Sequence, residues 1–340
     1  MDIKRVLRTG IGWRAGARLC AATIALGIVG SSAIAVGVSM AESDDDEGAT
    51  AVVTVDGGAV RGKLGDSVDE FLGIPYAAAP VGPLRWRPPK PVARWKGERD
   101  ATKFAPHCAQ PATPFGLPSS SEDCLYLNVF APAGRQHRDD EDDPVLVWIH
   151  GGGFLVGESN DYDPTKLAAD GTVVVTINYR LGALGFLAHR ALADRPGGSS
   201  GAYGLMDQQA ALRWVQRNIG KFGGDPENVT IAGESAGGLS VLAHMASPRA
   251  RGLFARGIVQ SGAFLTQTPL DKAETAGAAF AAKVGCASQT AACLRGLPVS
   301  IIQANDVMGL TGYTPGLLTA RCSSNPSGPR SPAVSSTACR

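Results

Sequence analysis

A dominant charge is what this sequence lacks. Its 32 Lys and Arg stand against 31 Asp and Glu, a formal net charge of +1. The clustered basic surface that holds nucleic acid is therefore not expected. No internal repeat recurs along the chain, which sets aside solenoids and propellers. The acidic run at 136–143 (QHRDDEDD) lacks the regular ligand spacing of a calcium loop and reads as an exposed loop tip ahead of a strand. No metal or organic cofactor is implied. Histidine is scarce, with five in 340 residues, and beyond residue 235 the sequence holds only His244. Any chemistry that needs an imidazole base late in the chain is short of candidates.

What is present is enough apolar material, 44% of residues, for a large buried core. Residues 1–41 read as an export signal. Lys4, Arg5, Arg8, Arg14 and Arg18 form a basic start, 19–38 is uncharged and mostly apolar, and Ser39 and Ala41 are small residues at the cleavage positions. The alternative is an uncleaved membrane anchor, for which the stretch is about long enough; Gly27, Gly30 and Gly37 weigh against it. Cys20 lacks the small residues that precede a lipidated cysteine. Residues 42–51 read as an acidic linker. The expected destination is extracytoplasmic, where cysteines oxidise. Six cysteines remain after cleavage: Cys108, Cys124, Cys286, Cys293, Cys322 and Cys339. Cys108 and Cys124 bracket a proline-rich loop, and Cys286 and Cys293 bracket a short one, but sequence alone leaves the connectivity open.

From residue 145 the pattern alternates between strand and helix. Runs at 145–149 (VLVWI) and 173–177 (VVVTI) read as buried strands, 229–232 (VTIA) as a short strand, and 258–260 as the candidate next strand. The segment 207–219 has helical spacing, with Ala211, Trp214, Val215 and Ile219 on one side and Asp207 as a candidate cap. A second helix is expected over 236–245. Strands of this kind alternating with helices predict an α/β sheet covered on both faces.

The strand at 229–232 runs straight into Gly233-Glu234-Ser235-Ala236-Gly237, and a helix follows. A G-x-S-x-G in that setting is a nucleophile elbow, in which a sharp turn exposes Ser235 at a helix N-terminus. The alternative is a glycine-rich turn that merely packs a helix on a sheet. Upstream, HGGGF at 150–154 leaves the strand at 145–149. Three glycines free backbone N–H groups and admit a substrate oxygen, so Gly152, Gly153 and the amide of Ala236 are the expected oxyanion donors. His150 is expected to brace that loop rather than act as a base.

These residues resemble the type-B carboxylesterases, which include para-nitrobenzyl esterases, liver carboxylesterases and cholinesterases. The segment 222–237 (FGGDPENVTIAGESAG) is similar to the family's serine signature, and 122–129 (EDCLYLNV) to its second one. FLGIPYA at 71–77, the HGGGF stretch, NYRLG at 178–182 and GFL at 185–187 are further landmarks. The resemblance runs from about Val52 to Asp306. It implies an α/β-hydrolase fold with a mostly parallel central sheet flanked by helices, here its N-terminal portion over 52–310 and C-terminally truncated. It implies that Ser235 attacks a small-molecule ester, with Gly152, Gly153 and Ala236 as the oxyanion hole. It also implies that Cys108 pairs with Cys124 and Cys286 with Cys293, and that Trp86 is a packing residue near the gorge wall.

In that family an acid and then a histidine follow the serine far downstream, and both are expected beyond residue 340. His244 is no substitute. Nine residues along a helix rise about 13.5 Å and end on its opposite side. Asp271, Glu274 and Asp306 are carboxylates without a histidine to orient. The segment 311–340 departs from the family and is expected to be an aberrant, disordered tail. Read in another frame with GC-rich codons, it can spell DGTVLVESVRPAFASGEFHRVP from Leu318 onward, similar to the family's continuation, so a frameshift near Pro315 is the sharper expectation. Two other readings stand beside an active esterase: a non-catalytic binding protein of the same fold, and an inactive truncated product.

Overall fold

The computed structural model describes residues 49–114, 116–134, 142–193, 200–262 and 268–306. The expected export signal, most of the linker, the acidic run over 136–141, and the tail at 311–340 with Cys322 and Cys339 lie outside the described residues.

The chain opens with β1 (Thr50–Val55), which includes the last two residues of the expected linker, and continues through β2 (Gly58–Lys63) and β3 (Val68–Pro75). Then come β4 (Glu98–Asp100), β5 (Tyr126–Pro132), β6 (Asp143–Ile149), α1 (Thr165–Ala169), β7 (Val173–Ile177) and α2 (Gly182–Phe186). The helix α3 (Tyr203–Asn218) leads to β8 (Gly224–Glu234), α4 (Ala236–Ala246) and β9 (Arg256–Gln260), and α5 (Leu270–Lys283), α6 (Ala291–Arg295) and α7 (Val299–Ala304) close the described part. One mixed sheet has the order β1-β2-β3-β5-β7-β6-β8-β9, with β4 beside β2. The pairs up to β5 and β7 are antiparallel, apart from β2 with β4, and β7, β6, β8 and β9 run parallel.

The parallel block is what the Val/Ile runs dictate. All five residues of β7 are buried. In β6, Val145, Val147 and Ile149 enter the core, whereas Leu146 and Trp148 on the other face are only half-covered. The expectation of a strand buried on both faces is corrected there. Leu146 and Trp148 line an open groove of about 600 Å³ with Tyr162, Val174 and Ile258. β9 is exposed along its whole length, including Ile258 and Val259.

A second correction concerns Asp207. Helix α3 starts four residues earlier than its spacing indicated, because Tyr203, Leu205 and Met206 are also buried against the core. Asp207 is thus no cap. It is fully buried in the second turn, where it accepts from Arg180 Nε and Nη2, both at 2.7 Å, and from the Arg180 backbone N–H at 3.2 Å. This fork ties the turn after β7 to α3, and the guanidinium also lies 5.3 Å from the Tyr203 ring centroid. Trp86 is fully buried and donates its indole N–H to the Ala183 carbonyl.

Removing one partner of a buried, bidentate ion pair leaves the other charge uncompensated. Asp207→Ala is expected to lower unfolding stability by about 3–5 kcal/mol. Urea denaturation followed by circular dichroism measures it, and a loss below about 1 kcal/mol would contradict the assigned role.

Candidate active site

β6 and β8 end at the same level, with Ile149 opposite Gly233. The two chain segments that leave the sheet there are the glycine loop and the serine elbow. At the elbow, Ser235 has φ 55° and ψ −117°, a region that costs a non-glycine residue about 1–3 kcal/mol. The strain is offset locally. The Ser235 N–H donates to the Gln260 carbonyl at 2.8 Å, and its own carbonyl accepts from Leu239 N–H at 3.0 Å. Two glycines allow the bend. A Cβ on Gly233 would meet the Gly237 backbone at 2.4 Å, and one on Gly237 would sit 1.9 Å from the Ile149 carbonyl oxygen.

Ser235 occupies the N-cap of α4, yet its hydroxyl makes no capping bond. A serine at that position ordinarily accepts from an amide of the first turn. Here Ser235 is a half-buried residue at a helix N-terminus, where amides and dipole favour negative charge.

The glycine loop lies against the elbow. A Cβ on Gly151 would meet the Glu234 carbonyl at 2.9 Å and Ser235 Cβ at 3.3 Å. Gly152 (φ 92°), Gly153 (φ 63°) and Phe154 (φ 61°) follow in a left-handed run. A Cβ on Gly152 would lie 2.0 Å from the Val156 carbonyl oxygen. The Gly152 carbonyl accepts from the amides of Leu155 and Val156, and the Phe154 carbonyl from Gly182 N–H. Among the described residues, no carbonyl or side chain accepts from the amides of Gly152, Gly153 or Ala236.

His150 sits beneath this loop. Its Nδ1 is 2.9 Å from the Gly151 carbonyl oxygen, its ring stacks on Tyr179 at 4.3 Å, and Tyr179 donates its hydroxyl to the His150 carbonyl. Burial pushes its pKa down to about 4, so the ring is neutral at pH 7. The geometry is that of a brace.

The other described histidines are also engaged away from Ser235. His107 pairs with Glu158, His189 bonds Gln289, and His244 bonds Gln208 on α3. Asp306 accepts from Ala183 N–H at the start of α2, Glu274 pairs with Arg190, and the Asp271 carbonyl accepts from Thr275. None of the described histidines and carboxylates forms an acid–histidine pair at the serine. Cys108 is bonded to Cys124 and Cys286 to Cys293. The site neighbours that sequence reading missed are Gln110, His107 and Glu158, which contact the far end of the glycine loop. Gln110 and Gly157 lie 47 residues apart, and nothing in either local pattern announces the contact.

A parallel strand block, a serine on a strand–helix elbow and a glycine loop at the same sheet edge define the α/β-hydrolase class. The profile of the carboxylesterase family matches residues 49–321, and the chain belongs to that family. The match ends inside the expected tail segment 311–340. The Bacillus subtilis para-nitrobenzyl esterase is 46% identical over 235 residues, covering 67% of this chain and 47% of that protein. The Sphingopyxis macrogoltabida fumonisin B1 esterase is 46% identical over 242 residues, 69% of this chain and 43% of that protein. The rabbit (Oryctolagus cuniculus) cocaine esterase is 48% identical over 223 residues, 60% and 40% respectively. Among solved structures, a PNB esterase superposes with TM-score 0.68 at 44% identity, over 75% of this chain and 53% of that one. The Geobacillus stearothermophilus carboxylesterase gives TM-score 0.69 at 40% identity, over 76% and 53%. The chain thus spans about half the length of the relatives it matches.

Two outcomes follow from this packing. Gly237→Ala is expected to destabilise the chain by about 1–3 kcal/mol through overpacking. Gly220→Ala, where a Cβ meets nothing within 4 Å, is its neutral control, and equal unfolding midpoints for the two variants would refute the close approach. The buried histidines set a pH dependence. His150 and His244 both have folded-state pKa values lowered by burial to about 4, from an ordinary 6.5. The unfolded chain binds protons that the folded chain refuses, so their contribution is complete above pH 6.5 and is lost as pH falls towards 4. Urea midpoints at pH 7.5 and 5 should show the loss, and His244→Asn should diminish it.

Proposed function

We propose that this chain carries the nucleophile and the oxyanion donors of a carboxylic ester hydrolase, with Ser235 as the nucleophile and the amides of Gly152, Gly153 and Ala236 as the donors. The observation that carries the reading is the left-handed, uncapped Ser235 at the start of α4, with the glycine loop packed against it. In the reaction, Ser235 Oγ bonds to the ester carbonyl carbon and gives up its proton to a base. The carbonyl oxygen takes the negative charge and is held by the three amides. The C–O bond to the alcohol breaks as the leaving oxygen is protonated, and water then releases the acid from the acyl-serine. The step uses no cofactor.

The proton acceptor is the open part of this scheme. With the four described histidines engaged elsewhere, full turnover needs a histidine from outside the described residues, and the expectation from the family resemblance is an acid and then a histidine far downstream of the serine. The relatives named as para-nitrobenzyl, fumonisin B1 and cocaine esterases have the ester in common, and the substrate class is small-molecule carboxylic esters. Export belongs to the same reading, because two disulfides suit an oxidising compartment.

The test separates acylation from turnover. Incubation with p-nitrophenyl butyrate is expected to leave a butyryl group on the Ser235 peptide by mass spectrometry, with release of p-nitrophenol. Ser235→Ala is expected to abolish the adduct. An adduct at other residues only, or one that survives the substitution, would refute the assignment.

A further inference from the structure

The glycine loop needs an external source of rigidity, because four of its residues, Gly152, Gly153, Phe154 and Gly157, have positive φ and glycine has no side chain to restrain it. Its near end is set by β6. Its far end meets two side chains from a separate hairpin. Gln110 is 1% exposed and its Oε1 accepts from Gly157 N–H at 2.6 Å. His107 Nδ1 lies 2.9 Å from Glu158 Oε2, with the Glu158 side chain 6% exposed. Between His107 and Gln110 sits Cys108, bonded to Cys124. The hairpin is stiff in its own right: Ala109 N–H donates to Ser121, Gln110 and Ser119 exchange backbone bonds at 3.0 Å, and Ser119 Oγ donates to the His107 carbonyl. Gln303 on α7 donates to the Ser119 carbonyl from behind.

We infer that His107 and Gln110, mounted on the Cys108–Cys124 hairpin, are positioning residues that clamp Gly157 and Glu158 and thereby fix the amides of Gly152 and Gly153. The inference rests on the proposed role of those amides. The link runs through a short path. The Val156 and Leu155 amides bond the Gly152 carbonyl, so a shift at Gly157 is passed directly to the Gly152 peptide. Burial and the neighbouring Asp161 push the Glu158 carboxyl upward while His107 pulls it down, which fits a pair held by geometry in a partly dry site.

The experiment reads amide hydrogen exchange at Leu155 and Val156 in the full chain, since their bonds to Gly152 are not touched by the substitutions. Gln110→Ala combined with Glu158→Ala is expected to speed exchange there about tenfold or more, while peptides from β8 and α4 stay as in the wild type. Glu158→Gln keeps an acceptor for the imidazole N–H and is expected to restore most of the protection. In parallel, the acylation rate of Ser235 by p-nitrophenyl butyrate should fall about tenfold at unchanged half-saturation. Unchanged exchange at Leu155 and Val156 overturns the clamp, as does equal acceleration throughout β8 and α4. Should the double variant not fold, Glu158→Ala alone is read at the same two amides. Absence of acylation in the wild type would sink the esterase reading, while the exchange data still decide the clamp.

Discussion

The contact on which this site depends is between two stretches of backbone. Helix α4 sets its first turn on the ends of β6 and β8 so closely that a single methyl on Gly237 would lie 1.9 Å from the Ile149 carbonyl oxygen. That approach forces the chain to turn within one residue, and Ser235 is that residue. It also places the first amides of α4 next to the loop leaving β6, because both strands finish in register. β9 completes the arrangement by accepting the Ser235 N–H at Gln260. Strain at one residue is held by ladder and helix bonds on either side, so the serine's position follows from the sheet rather than from its own preferences.

The elements legible in the sequence are those whose pattern is local. β7 coincides with the run at 173–177. β8 extends over Gly224–Glu234, beyond the four residues its propensity marks: Gly224 pairs with Asp143, the register then shifts across the segment that holds Pro226, and regular pairing with β6 resumes at Val229. The antiparallel strands were harder still. In β3 the register against β5 shifts between Phe71 and Ile74, with Gly73 at φ 67°, so the two-residue alternation that would announce a strand is broken. The reading of Asp207 as a cap failed for a related reason: its partner, Arg180, is 27 residues away. Ser235, Ala236, Gly152 and Gly153 stand out as candidates because each sits inside a contiguous motif, and their roles remain a proposal. The hairpin that supports them does not stand out, since its contacts join segments with no common pattern.

Polar side chains do much of the interior joining. Asn128 accepts from Gly73 N–H at the β3 irregularity and donates to Ser159 and Thr176. Asn178 accepts from Ser159 N–H, and Tyr76 donates to the Asn178 carbonyl. Each satisfies a backbone group where the regular ladder stops, and an unmet buried amide would cost about 1–3 kcal/mol. These bonds lie around the loops that leave the sheet near the site, so the irregular backbone is tied down there by specific partners and not by apolar packing alone.

An oxyanion hole built from main chain has a particular weakness. Each donor is valuable only if it is already aimed when charge develops, and losing one typically costs about 10²–10³ in rate. Two of the three proposed donors, the amides of Gly152 and Gly153, lie in a loop where glycine supplies no side chain to hold the backbone, so the stiffness must be borrowed. His150 stacked on Tyr179 holds the loop from below, Gly182 N–H holds Phe154 from the side, and Gln110 holds Gly157 at the far end. None of these groups handles a proton in the proposed reaction. His150 in particular is kept neutral by burial, which lets it sit under an anion site without adding a mobile charge. The described residues are therefore suited to the two proposed tasks, placing a nucleophile and stabilising an oxyanion, which need geometry alone. Proton transfer needs a base with a pKa near the working pH, and a dry interior that drives histidines down to about 4 is the wrong place to keep one.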